Sequence, residues 1–126
     1  MPVEEISSVN GRRHGSAQEL LMDFGVSFLK KYKNPELRNL LLMTIANKER
    51  YKQIELSLRE LCFQEMDRMF LNLEDLAGTS IVAPVKKAFF GSLLCYVMWW
   101  NDNEIGPEEY VKTLTDRILL SISREV

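Results

Sequence analysis

The chain reads as an all-α protein, a bundle of about five helices, and three observations predict this. Apolar residues recur at spacings of three and four through most of the sequence after Ser16. Helix-start signatures punctuate that pattern: Ser16-Ala-Gln-Glu19, Asn34-Pro35-Glu36 and Gly106-Pro107-Glu108-Glu109. No alternating apolar-polar run of the kind a half-buried strand requires competes with them.

Composition narrows the class. A chain of 126 residues suits one domain, and folding at this size buries roughly two-thirds of the unfolded surface. Hydrophobic content of 46% with 27% charged residues is ordinary, and a formal net charge of −2 gives no general pull toward nucleic acid or anionic membranes. Cys62 and Cys95 are too few and too far apart for a disulfide framework or a paired-thiolate metal site, which predicts reduced core cysteines in a cytoplasmic protein. The N-terminus MPVEEISSVNGRRHGS carries acids where a secretory signal needs positive charge. Residues 1–15 are expected to be a flexible leader or linker remnant, and residues 16–126 the folded domain.

The first helix is expected from the Ser16 cap to about Lys33, with Leu20, Leu21, Phe24, Phe28 and Tyr32 on one face and Met22, Val26 and Leu29 widening it. Asn34 then caps a short helix to about Ala46, started by Pro35 and dipole-matched by Glu36, with Leu37, Leu40, Leu41 and Thr44 inward. Asn47 can begin a long third helix to about Leu73, whose inward stripe is Tyr51, Ile54, Leu58, Leu61, Cys62, Met66, Met69 and Leu73. Glu74–Ala83, with Gly78 and two hydroxyl residues, reads as a loop before a helix that Pro84 opens and that covers about residues 84–101. The last helix follows Gly106-Pro107, with Val111, Leu114, Ile118 and Ile122 on its stripe.

The fourth helix is unusual, because AFFGSLLCYVMWW, residues 88–100, is apolar all round. Lys86–Lys87 and Asn101–Asp102 close the run well short of the ~20 residues a bilayer span needs, so no membrane role is expected. On a helical wheel Ala88, Gly91, Ser92 and Cys95 form a small-residue stripe beside a bulky ridge of Phe89, Leu93, Tyr96 and Trp100. Such a helix wants partners on every side, and Leu120 lies opposite the stripe of the last helix. The economical solution is a homodimer in which the last two helices of each copy form an intermolecular four-helix interface. Its expected residues are Gly91, Ser92, Cys95, Trp99, Leu114, Ile118, Leu120 and Ile122.

Phe90-Gly91-Ser92-Leu93-Leu94, Trp99-Trp100-Asn101-Asp102-Asn103 and Gly106-Pro107-Glu108-Glu109-Tyr110, together with the step Lys33-Asn34-Pro35-Glu36-Leu37, carry a resemblance over about residues 16–124. The arrangement resembles the C-terminal ligand-binding and dimerisation domain of TetR-type bacterial transcriptional regulators. The resemblance implies a homodimer that binds a small apolar or amphipathic effector between its helices and contacts DNA only through a separate N-terminal helix-turn-helix head, for which there is no room before Ser16. An excised domain, a fragment and a natural headless relative all fit that departure. The alternative role is a headless interaction protein that heterodimerises with a full-length regulator and modulates it.

For the implied effector, the facing residues Phe24, Phe28, Cys62, Met66, Met69, Phe90 and Leu94 supply adaptable thioether and aromatic walls, although each also suits an ordinary core. Glu65 falls on the apolar stripe, where a carboxylate must be paired, protonated or wet. It either orients a polar ligand or turns out to Arg68 or water. Tyr51 and Tyr96 are further hydroxyl candidates. No catalytic, metal or cofactor site is expected: His14 is the only histidine, no nucleophile-base pair is credible, and no phosphate loop is present. Arg12-Arg13-His14 reads as a solvated linker.

Overall fold

Helix starts are where the sequence speaks most directly. The computed structural model describes residues 14–47, 49, 64–101 and 103–125. Among them are five helices and no strand: α1 Ala17–Tyr32, α2 Pro35–Ala46, α3 Gln64–Ala77, α4 Ala83–Met98 and α5 Pro107–Glu125. Ser16 Oγ accepts the Glu19 amide at 3.2 Å, while Glu19 Oε2 accepts the amide of Gly15 at 2.8 Å, one residue before the cap. One donor that the first turn leaves unpaired is thereby satisfied, together with the amide just before the cap. Asn34 Oδ1 accepts from Glu36 and Leu37 at 2.9 and 3.4 Å, with Pro35 opening α2 behind it.

Two boundaries differ from expectation. Helix α3 continues through Glu74–Ala77, because nothing in that segment breaks a helix; Gly78, at φ 72°, ends it. The Gly78 amide bonds the Glu74 carbonyl at 2.9 Å and the Glu74 carboxylate accepts the Ile81 amide at 2.7 Å, so Glu74 supplies acceptors to both the end of α3 and the turn that follows. Helix α4 stops at Met98, leaving Trp99 as its cap and Trp100 outside it. The Tyr96 hydroxyl donates to the Ile105 carbonyl at 2.6 Å, which holds that residue against the helix.

Helix α1 is the axis of the bundle, with contacts to all four other helices. Leu20, Leu21, Phe24, Phe28 and Leu29 are buried in it, and Met66, Met69, Phe70 and Leu73 of α3, Phe89, Leu93, Tyr96 and Val97 of α4, and Val111, Ile118 and Ile122 of α5 close around them. Each large apolar side chain removed from water contributes about 1.5–3 kcal/mol, an upper estimate because unfolded chains are partly compact. Helices α1 and α5 approach closely at Gly25, where an added Cβ would lie 2.6 Å from Val111 Cγ1. Leu40, expected inward, is exposed, since α2 turns Leu41 rather than Leu40 into the core. Tyr51, Ile54, Leu58, Leu61 and Cys62 lie outside the described residues. Among the described residues no helix is long and apolar enough to cross a membrane.

Candidate functional site

A groove of about 680 Å³ opens between the first turns of α3 and α4. Met66 and Phe70, both buried, and the half-buried Phe90 form its apolar floor; Gln64, Asp67, Lys86 and Lys87 form its rim. Its size falls in the range typical of small-molecule sites. Lys86 is held in place by Glu74, 3.7 Å away, and passes 5.8 Å from the centre of the Phe70 ring.

The residues expected to surround a ligand are distributed in depth rather than around one cavity. Met66 and Phe90 reach the groove. Phe28 meets Phe90 edge-on at 6.1 Å and Phe24 lies 6.4 Å from Phe28; both are 1% exposed. They support the floor from behind and present no surface to a ligand, and fully buried Met69 is core as well. Leu94 is half-buried against the same core, and Cys62 lies outside the described residues. Glu65 is buried and its Oε1 accepts from Arg68 Nη1 at 3.4 Å, one turn along the same helix. Its neighbours Gln64, Met66 and Asp67 line the groove.

The other expected surface divides more sharply. Ala88, Gly91, Cys95, Met98 and Trp99 are exposed along α4, Trp99 by 76%, and nothing lies within 4 Å of a Cβ placed on Gly91. Ser92 is half-buried, its hydroxyl donating to the Ala88 carbonyl at 2.7 Å. On α5, Leu120 is exposed and Leu114 half-buried. Ile118 and Ile122 are buried in the chain's own core with Val111 and Thr115, so they have no area left to bury against a second copy. They leave the interface set because the stripe they occupy faces α1.

The Tyr96 hydroxyl donates to the Ile105 carbonyl at 2.6 Å, and its ring packs 4.8 Å from Tyr110 and 4.9 Å from Trp100. Tyr110 donates to the Ser92 carbonyl at 2.7 Å, fastening α5 to α4. Burial pushes the Tyr110 phenol above its ordinary value, and the nearby Cys95 sulfur, when charged, pushes it further. These two phenols tie Ile105 and the start of α5 to α4. Sequence periodicity left Tyr110 unassigned; its position three residues after Pro107 gave no hint of the acceptor eighteen residues upstream.

His14 and Gly15, the end of the expected leader, are tied to α1. His14 Nε2 lies 2.9 Å from Asp23 Oδ2, and Gly15 bonds Glu19. Arg12 and Arg13 lie outside the described residues. A second hollow of about 490 Å³ between the end of α1 and the start of α5 is lined by Lys30 and Lys33 and by Glu108 and Glu109, so its own side chains balance its charge. Arg38 crosses from α2 to lie 5.0 Å over Trp100 at its edge.

Comparison with known protein families, with curated proteins and with solved structures found no match to this chain.

Proposed function

We propose that the chain is the effector-binding and dimerisation domain of a TetR-type transcriptional regulator, acting as a homodimer in the cytoplasm. The observation that carries this reading is the outer face of α4. Its inner residues Phe89, Leu93, Tyr96 and Val97 are buried in the bundle, while Gly91, Cys95, Met98 and Trp99 stand exposed on the other side, beside a helix that exposes Leu120. An apolar row of this kind gains most by being covered, and the small residues Ala88 and Gly91 allow a second backbone to come close. A second copy is the occupant this reading takes, because a two-fold axis sets one such apolar face against another and covers both.

The groove supports the effector half of the reading, as it joins α3 to the same helix that carries the exposed row. A ligand that favours one spacing of α3 and α4 shifts the population of bundle arrangements. Helix α1 contacts every other described helix and holds His14 at its start, so such a shift is passed to the N-terminal segment. DNA-binding heads joined there would change their half-site separation.

Light scattering on the chain is expected to give the mass of a dimer, and Gly91→Arg combined with Trp99→Asp to give a monomer with unchanged helical circular dichroism. A monomer for the unmodified chain at high protein concentration would overturn the reading.

A further inference from the structure

Resting on the effector-binding reading, we propose that the groove between α3 and α4 takes an amphipathic monoanion, a medium-chain or aryl carboxylate. The floor sets the body of the ligand. Met66, Phe70 and Phe90 offer a thioether and two rings with no polar group among them, and a methionine adapts its shape to a flexible chain. Phe90 is braced from behind by Phe28, so the floor is firm enough to hold an apolar body without refolding the core.

The rim sets the head. Lys86 and Lys87 stand together near the N-terminus of α4, where the helix dipole is positive, and this helix has neither an acidic residue in its first turn nor a side-chain cap on Val82. The first turns of α1, α2 and α5 all carry acids. Lys86 is engaged by Glu74, whereas Lys87 is exposed with no ion pair among the described residues. With Lys86 neutralised by Glu74, Lys87 and the positive helix end face Asp67, the single carboxylate among the lining residues. Asp67 in turn disfavours a second negative charge on the ligand, which selects a carboxylate over a phosphate dianion. Lys87 supplies the charge-assisted hydrogen bond, and Gln64 can donate an amide hydrogen from across the rim.

The test is calorimetric titration of the whole chain with octanoate, octan-1-ol and octylamine, with the oligomeric state measured on the same samples. Octanoate is expected to bind about tenfold more tightly than octan-1-ol, the margin of one charge-assisted contact. Lys87→Gln removes that margin and leaves octan-1-ol unchanged; Phe90→Ala weakens both ligands. Lys87 is exposed, so its replacement leaves the fold intact. Octylamine binding as well as octanoate, octanoate binding that ignores Lys87→Gln, or no octanoate binding at millimolar concentration would each overturn the proposal. A dimer that binds octan-1-ol as tightly as octanoate overturns the anion assignment alone. A monomer whose octanoate affinity depends on Lys87 supports the assignment while sinking the dimeric reading.

Discussion

Replacing Gly25 by alanine is expected to weaken the fold, although the residue sits inside a helix where alanine is ordinarily preferred. The helix itself gains about 1 kcal/mol from the change. Against this, the new methyl would sit 2.6 Å from Val111 Cγ1 and 3.2 Å from Cγ2, where carbon atoms prefer roughly 3.5–4.0 Å. Val111 cannot yield, being fully buried and β-branched, with one strongly favoured rotamer in a helix. Helices α1 and α5 must part instead, and overpacking of this kind costs about 1–3 kcal/mol. The net loss is about 1 kcal/mol. Val111→Ala alone removes two methyl groups and leaves a cavity, for a loss of about 2 kcal/mol. Combining the two lets the alanine methyl enter the vacated space, so in the Val111→Ala background Gly25→Ala becomes stabilising by up to about 1 kcal/mol and the pair couples by about 2 kcal/mol. Urea unfolding followed by far-ultraviolet circular dichroism, at one fixed protein concentration, measures all four corners of the cycle. Stabilisation by Gly25→Ala alone, or coupling below about 0.5 kcal/mol, would refute the close approach of α1 and α5.

Gly78→Ala is expected to cost about 1–2 kcal/mol in the same assay, because φ of 72° is strained for a residue with a Cβ; Gly78→Asn is expected to cost less. Tyr110→Phe removes the bond to the Ser92 carbonyl and lowers stability by about 1 kcal/mol at neutral pH. The folded phenol ionises above the ordinary 10.0, so the unfolded chain loses this proton first. Its contribution is full below that value and disappears as pH rises through the folded one, and urea midpoints across the alkaline range should fall less steeply in Tyr110→Phe than in the unmodified chain. Asn34→Ala, which leaves the Glu36 and Leu37 amides without their acceptor, is expected to cost about 1 kcal/mol, read as a lower thermal midpoint.

The legible parts of this protein were those decided within a few residues. The Ser16 and Asn34 caps work over two or three positions, and the stripe Val111, Ile118 and Ile122 follows from helical period alone. Periodicity, however, states an angle around a helix and not the neighbour found there. It ranked Ile118 with Leu120 as interface residues, yet one is buried against the core and the other is exposed. It grouped Phe24 and Phe28 with Phe90, although only Phe90 reaches the groove.

The sequence by itself determined an all-α chain, where its helices begin, and which helix carries too many apolar residues for one face. Hydrogen bonds and periodicities between near neighbours are enough for that. Only the tertiary structure decided that Gly25 meets Val111 across two helices, that Phe28 braces Phe90 from behind, and that Tyr110 fastens α5 to α4. Each depends on how neighbouring helices pack, and the packing energy that selects those arrangements is summed over the whole core before any one contact exists.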